Sequence, residues 1–456
     1  MKNLQKFFFT TGLMIAAVCL ILASCTKEGP QGAAGTNGLN GKDGTDGKDA
    51  SETCKQCHAK AVVDAIATEF EMSKHNWGTT AFEEAGNVSC TPCHVQKAFI
   101  YVCTNNTPTA FVQDPATGKW TNPYVTNAAN AIGEIGCFTC HSSLHTTYGM
   151  SDITLTNTAA VPMTMWGGAK TINLTQGGGK SNLCAKCHQP RPLTCSGPAA
   201  NNGRLLNYDS IKNFPNLVMF DSAAPNANKM VRPSYRMHVH YGAVSAVYAG
   251  MGAIEYPGSV AYTNSPHTTV ATCQDCHMAD PMTGIAGGHS FNMRNAKETP
   301  LSSSTTWNFN GCNTTACHGA NPIDASSAKW KATRTEIKGL LDALALKLNA
   351  VGQGHDILHA DATASNLWAG VTTKNYDGYM DIYGAGTNDA GYWRDPYNTS
   401  AINLAKPKFP SLKFVQMGAL INFQFCLREY SLGIHNTQYV RALLTNSVEA
   451  LNAAGL

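Results

Sequence analysis

The chain has 456 residues, including 41 glycines and 17 cysteines, with 43% hydrophobic and only 14% charged residues. This suits one large domain or two to three ordinary ones, and it excludes a fully disordered chain. A formal charge of +3 excludes the strongly basic field of a nucleic-acid binder, and the cysteine load excludes an ordinary cytosolic enzyme, leaving disulfides, metal or covalent cofactors.

Residues 1–24 read as an export signal. Lys2 and Lys6 precede an apolar stretch, Phe7 to Leu22, too short for an ordinary membrane span. The stretch ends Leu22-Ala23-Ser24-Cys25, which resembles a bacterial lipobox and makes Cys25 the expected lipidated residue. The alternative is a plain signal cut near Ala23. No later stretch is apolar enough to span a bilayer, so attachment is expected through lipid, at the periplasm-facing outer membrane or the cell surface. Residues 25–50 form a linker in which glycine takes every third position from Gly29 through Gly47. That period suits a collagen triple helix, whose axis admits only glycine. With Pro30 the only proline in the run, a flexible tether is the competing reading.

Residues 51–322 carry the chemistry. A helix is expected over Ala59 to Glu71, where Val62, Val63, Ile66 and Phe70 recur at helical spacing. Five segments read Cys-x-x-Cys-His: Cys54/Cys57/His58, Cys90/Cys93/His94, Cys137/Cys140/His141, Cys184/Cys187/His188 and Cys273/Cys276/His277. Chance would place well under one such match in this composition. The pattern attaches c-type haem, two thiols bonding one porphyrin while the adjacent histidine ligates its iron. A sixth segment, Cys312/Cys317/His318, has four residues between its cysteines and is expected to attach a sixth haem; a disulfide or unpaired thiols are the alternative. Zinc is the main rival for cysteine pairs, but zinc ribbons do not need a histidine after every pair. Cys103, Cys195 and Cys426 remain without an assigned role.

Nine further histidines are available as sixth ligands. His145 lies one helical turn beyond His141, so it is expected to ligate a neighbouring haem. His355 and His359 are expected to be solvent-facing or supporting.

The chain resembles the multihaem cytochrome c superfamily that includes pentahaem nitrite reductases, hydroxylamine oxidoreductase and their electron-transfer relatives. The resemblance rests on Met72-Ser-Lys-His75, Cys184-Ala-Lys-Cys187-His188-Gln-Pro-Arg191, His240-Tyr-Gly242, Asn264-Ser-Pro-His267, Gly287-Gly-His289 and Gly433-Ile-His435-Asn436. It implies distal ligands at His75, His267, His289 and His435, and at His240 with His238 as competitor.

The expected fold is mainly α with extensive loop and few or no strands, a multihaem cytochrome c fold. Stacked haems are expected to replace the apolar core that 54–318 does not supply. Residues 323–456 are expected to be a helical region packing on the haem domain. Its helices are expected at Ala325 to Ala350, Lys413 to Glu429 and Thr437 to Leu451, with a long loop over 360–410.

The expected role is electron transfer through six haem c groups, each between two histidines. Partners would be other cytochromes or an extracellular acceptor, with the membrane reached through lipid and no nucleic acid involved. Assembly of copies into an oligomer or filament is a further expectation. The alternative is a reductase or oxidase of a small nitrogen or sulfur compound at one five-coordinate haem.

Overall fold

The computed structural model describes residues 59–77, 90–104, 112–113, 116, 120–121, 134–141, 154–194, 204–221, 237–282, 285–295, 306–349, 357–360, 376–380, 382–383, 406–407, 409 and 411–456. All lie in the unit Glu52–Leu456. The signal, Cys25, the glycine-periodic linker, Cys54, Cys57, His58, His145, Cys195 and His355 lie outside the described residues. So does the side chain of His359. No described helix is long and apolar enough to cross a membrane.

The architecture is mainly α with extensive loop. Helix α1 spans Lys60–Glu71, α2 Ser181–Cys187, α3 Val244–Ala249, α4 Ala328–Asn349, α5 Phe414–Arg428 and α6 Thr437–Ala453. Between them run shorter helices, among them Gln96–Thr104 and Tyr208–Asn213, with single helical turns and loops. Described strands form five two-stranded ladders. The longest-range pairing sets β1 (Val218–Asp221) antiparallel to β2 (Ser411–Lys413), with Phe220 opposite Leu412.

The three long C-terminal helices follow their apolar patterns. α4 buries Ile337, Leu341, Leu344 and Leu348, the stripe its spacing predicts. α5 is buried along all of its 15 residues, so it is a central helix surrounded on every side. α6 begins at the Asn436 cap, whose side chain accepts from the Tyr439 N–H, and packs against both α4 and α5. Arg441 on α6 forms a bidentate pair with Glu336 on α4.

Two expectations need correction. Residues 54–318 do contribute to a conventional apolar core. Met163, Met165, Ile172, Leu193 and Val247 are fully buried and belong to the same cluster as Phe423, Leu443 and Leu444. The signal was missed because these side chains come from isolated positions in irregular segments, with no periodic run to reveal them. Residues 360–410 are also not entirely loop. Leu358–Ala360 pairs with Tyr376–Met380, and Ile382–Tyr383 with Lys406–Pro407. Helix α1 forms as expected, yet Val62, Val63 and Ile66 are 37–45% exposed.

Candidate haem-ligation sites

Each regular motif in the described residues sits on a single helical turn. Thr91–His94, Cys137–Cys140, α2 and Cys273–His277 hold four of them. A turn brings residues i, i+3 and i+4 to one face, which for this pattern are two cysteines and a histidine. The fifth motif is started by a reciprocal cap: Asp275 N–H donates to Thr272 Oγ1 at 3.2 Å, and Thr272 N–H to Asp275 Oδ2 at 2.7 Å. The wider sixth segment is a series of turns. His318 N–H donates to Cys312 O at 2.9 Å, and Asn313 clips the loop to Ile323 through two bonds of 2.7 and 2.9 Å.

The structure brings motif histidines close to histidines that were expected among the distal ligands, without any pairing having been assigned. Ring centres are 6.0 Å apart for His75 and His188, 6.3 Å for His94 and His240, 6.1 Å for His267 and His318, and 6.2 Å for His277 and His435. The fifth pair, His141 and His289, are electrostatic neighbours. Ring planes cross at 78–83° in the first three pairs and at only 18° in His277/His435.

Several of these rings already use Nδ1. His277 Nδ1 meets Phe291 O at 2.9 Å, His267 Nδ1 meets Ile434 O at 3.1 Å, and His435 Nδ1 meets Glu429 Oε2 at 2.6 Å. Fixing Nδ1–H on an oxygen sets the tautomer that leaves Nε2 as the ligating nitrogen. Burial first, then neighbouring histidines, pulls His75, His188 and His277 down to about 4. They are therefore neutral at pH 7, the form that binds metal.

Backbone strain marks the same places. His240 and Phe291 adopt φ of 65° and 58°, a region that non-glycine residues avoid. Gly433 has φ of 84° in the turn leading to His435, and a Cβ there would press on Ile337. Gly288, just before His289, faces the Glu69 carboxylate, which accepts from the His289 N–H at 2.9 Å.

His238 and His240 separate clearly. His238 Nδ1 lies 2.9 Å from Arg428 Nη1 and accepts from the His240 N–H at 3.0 Å. Its ring packs on Tyr379 at 4.7 Å, whereas His240 is the ring facing His94. The sequence did not single out Arg428, Glu429 or Tyr379. The available signal was an Arg-Glu pair ending an otherwise apolar helix.

Thiols of different motifs also meet. Cys187 contacts Cys93 and Cys184 contacts Cys273, while Cys276 neighbours Cys312 and Cys317. Burial pushes Cys140 up to about 11 and Cys276 to about 12, so both are thiols rather than thiolates. Cys103 and Cys426 are buried free thiols in different apolar clusters.

A profile of cytochrome c552 matches residues 97–334, just over half of the chain. The chain belongs to the cytochrome c552 family. Cytochrome c552 proteins are multihaem c-type cytochromes related to nitrite reductase, so this one carries covalent haem iron and performs haem-based electron transfer or nitrite-reductase-type chemistry. No curated protein and no solved structure gave a match.

The residues fit the group that cytochrome c552 membership implies. A metal lies about 2.0–2.1 Å from a ligating imidazole nitrogen, so two rings on opposite sides of one ion have centres about 6 Å apart. Four described pairs have this spacing. Among the described residues no three His, Cys, Asp or Glu side chains gather as a small-ion chelate would; the imidazoles come in twos.

Proposed function

We propose that this protein conducts electrons through six covalently bound haem c groups, each iron held between two histidines. Cys90/Cys93, Cys137/Cys140, Cys184/Cys187, Cys273/Cys276 and Cys312/Cys317 would hold five of them. Their irons would take His94/His240, His141/His289, His188/His75, His277/His435 and His318/His267. Cys54, Cys57 and His58 would hold the first, with His145 as the remaining distal candidate. The observation that carries this reading is the 6.0–6.3 Å separation of four motif histidines from four histidines distant in sequence. Haem iron supplies reversible one-electron chemistry, and with two imidazoles bound it has no open position for a substrate.

The thiol contacts support an order. The second motif adjoins the fourth through Cys93 and Cys187, the fourth adjoins the fifth through Cys184 and Cys273, and the fifth adjoins the sixth around Cys276. Phe291 packs on His75 at 5.1 Å and His289 at 6.1 Å, tying the third site to the fourth. The lipobox-like segment supports a lipid-anchored protein at the envelope or surface that passes electrons to other cytochromes or an extracellular acceptor. Self-assembly into a filament is compatible with six haems.

The intact mass of detergent-extracted protein tests both parts together. The expected species begins at Cys25, carries lipid there and holds six haem increments. Five increments would remove the Cys312/Cys317 site, and an unmodified N-terminus would remove the anchor.

A further inference from the structure

We propose that Arg428 and Glu429, consecutive residues at the end of α5, bias two haem sites in opposite directions and so make electron flow downhill from the His277/His435 site to the His94/His240 site. This rests on the bis-histidine reading above and goes beyond it by assigning a direction.

The two side chains leave one helix end toward different sites. The Glu429 carboxylate is fully buried and lies 2.6 Å from His435 Nδ1. Gly433 N–H and the Ser431 hydroxyl also donate to it. Arg334 is among its electrostatic neighbours from α4. An anion there stabilises the ferric state, and a carboxylate accepting from Nδ1–H makes the imidazole a stronger donor. Both effects lower the potential.

Arg428 is 1% exposed and reaches His238. It lies 2.9 Å from His238 Nδ1 and sits over the Tyr241 and Tyr379 rings at 4.7 and 4.8 Å. The hydroxyls of these two tyrosines hydrogen-bond each other. His238 stands two residues before His240 and Tyr241 directly after it, with ring centres 6.1 and 5.4 Å from it. A buried cation beside that ligand disfavours the ferric state and raises the potential.

The site between the two is already in place. His188 has His277, His435 and His94 as electrostatic neighbours, and Cys184 and Cys187 touch the thiols of the fifth and second motifs. With haem bound, an electron would pass from the His277/His435 site to the His75/His188 site and on to the His94/His240 site. One electron is lost and one gained at each step, and no proton is required.

Potentiometric titration of the haem-loaded full chain, followed by EPR, tests this. The near-parallel planes of His277 and His435 predict an ordinary rhombic low-spin signal, while the near-perpendicular pairs predict highly anisotropic ones. Loss of a signal in His435→Ala or His240→Ala identifies its haem. Glu429→Gln should raise the potential of the His435 haem about tenfold in equilibrium constant, which is about 59 mV for one electron. Arg428→Gln should lower that of the His240 haem by a similar factor, and Arg428→Lys should leave it near the wild-type value. Shifts of the same sign, or none at either site, overturn the proposal. If either Gln variant does not fold, the wild-type order decides: a His435 haem at or above the potential of the His240 haem overturns it. High-spin iron throughout the wild type would instead overturn the underlying ligation.

Discussion

His435→Ala is expected to convert one six-coordinate iron to high spin and to cost about 3–5 kcal/mol, the usual penalty for leaving a buried charge uncompensated. Burial by itself would pull His435 down, but the bond and charge of Glu429 raise it. Burial would likewise push the Glu429 carboxyl up, yet His435, Gly433 and Ser431 hold it below the ordinary value. Removing the imidazole leaves that carboxylate fully buried without its 2.6 Å partner. Chemical unfolding and EPR of the same sample measure both consequences. Adding Glu429→Gln should recover part of the stability but none of the coordination, because Gln removes the stranded charge and cannot supply the missing ligand. Equal stability of the two variants would show that Glu429 is not held by His435.

Asn436→Ala is expected to cost about 3 kcal/mol or more, from a lost cap worth about 1 and stranded buried groups at about 1–3 each. Asn436 is fully buried and joins three segments. Its Oδ1 accepts from Tyr439 N–H, starting α6, and from Ser265 N–H at 2.9 Å. Its Nδ2 donates to Val247 O at 3.0 Å and to Asn264 Oδ1 at 2.8 Å. The residue therefore locks the segment carrying His435 to the segment carrying His267 and to α3. The EPR signals of both sites should broaden together as unfolding shifts to lower denaturant. Asn436→Asp keeps the acceptor and loses the donors, so its stability should fall between the two. A loss under about 1 kcal/mol in the alanine variant would reduce Asn436 to a simple cap.

The motif histidines were legible because covalent attachment imposes a short, fixed spacing that survives any fold. The histidines that lie opposite His188 and His94 were singled out only through resemblance, since nothing local ties His75 to His188 or His240 to His94. Those pairs are made by tertiary folding over more than a hundred residues of chain. Helices α4, α5 and α6 were readable from long apolar patterns. The ladders around Leu358 and Tyr376 were not, because two short strands leave too little alternation to stand out from a glycine- and asparagine-rich segment. Arg428 and Glu429 escaped notice for a different reason. A charged pair ending a helix reads as a solvated terminus, and only the packed structure shows that α5 is buried to its last residue.

A conductor with two histidines on every iron has only six-coordinate haem. EPR of the fully oxidised, haem-loaded wild-type protein separates it from an enzyme. Low-spin ferric signals are expected throughout, with one rhombic component from His277/His435 and highly anisotropic components from the three near-perpendicular pairs. A substantial high-spin ferric signal from the intact protein would contradict a conductor and point to a five-coordinate catalytic haem.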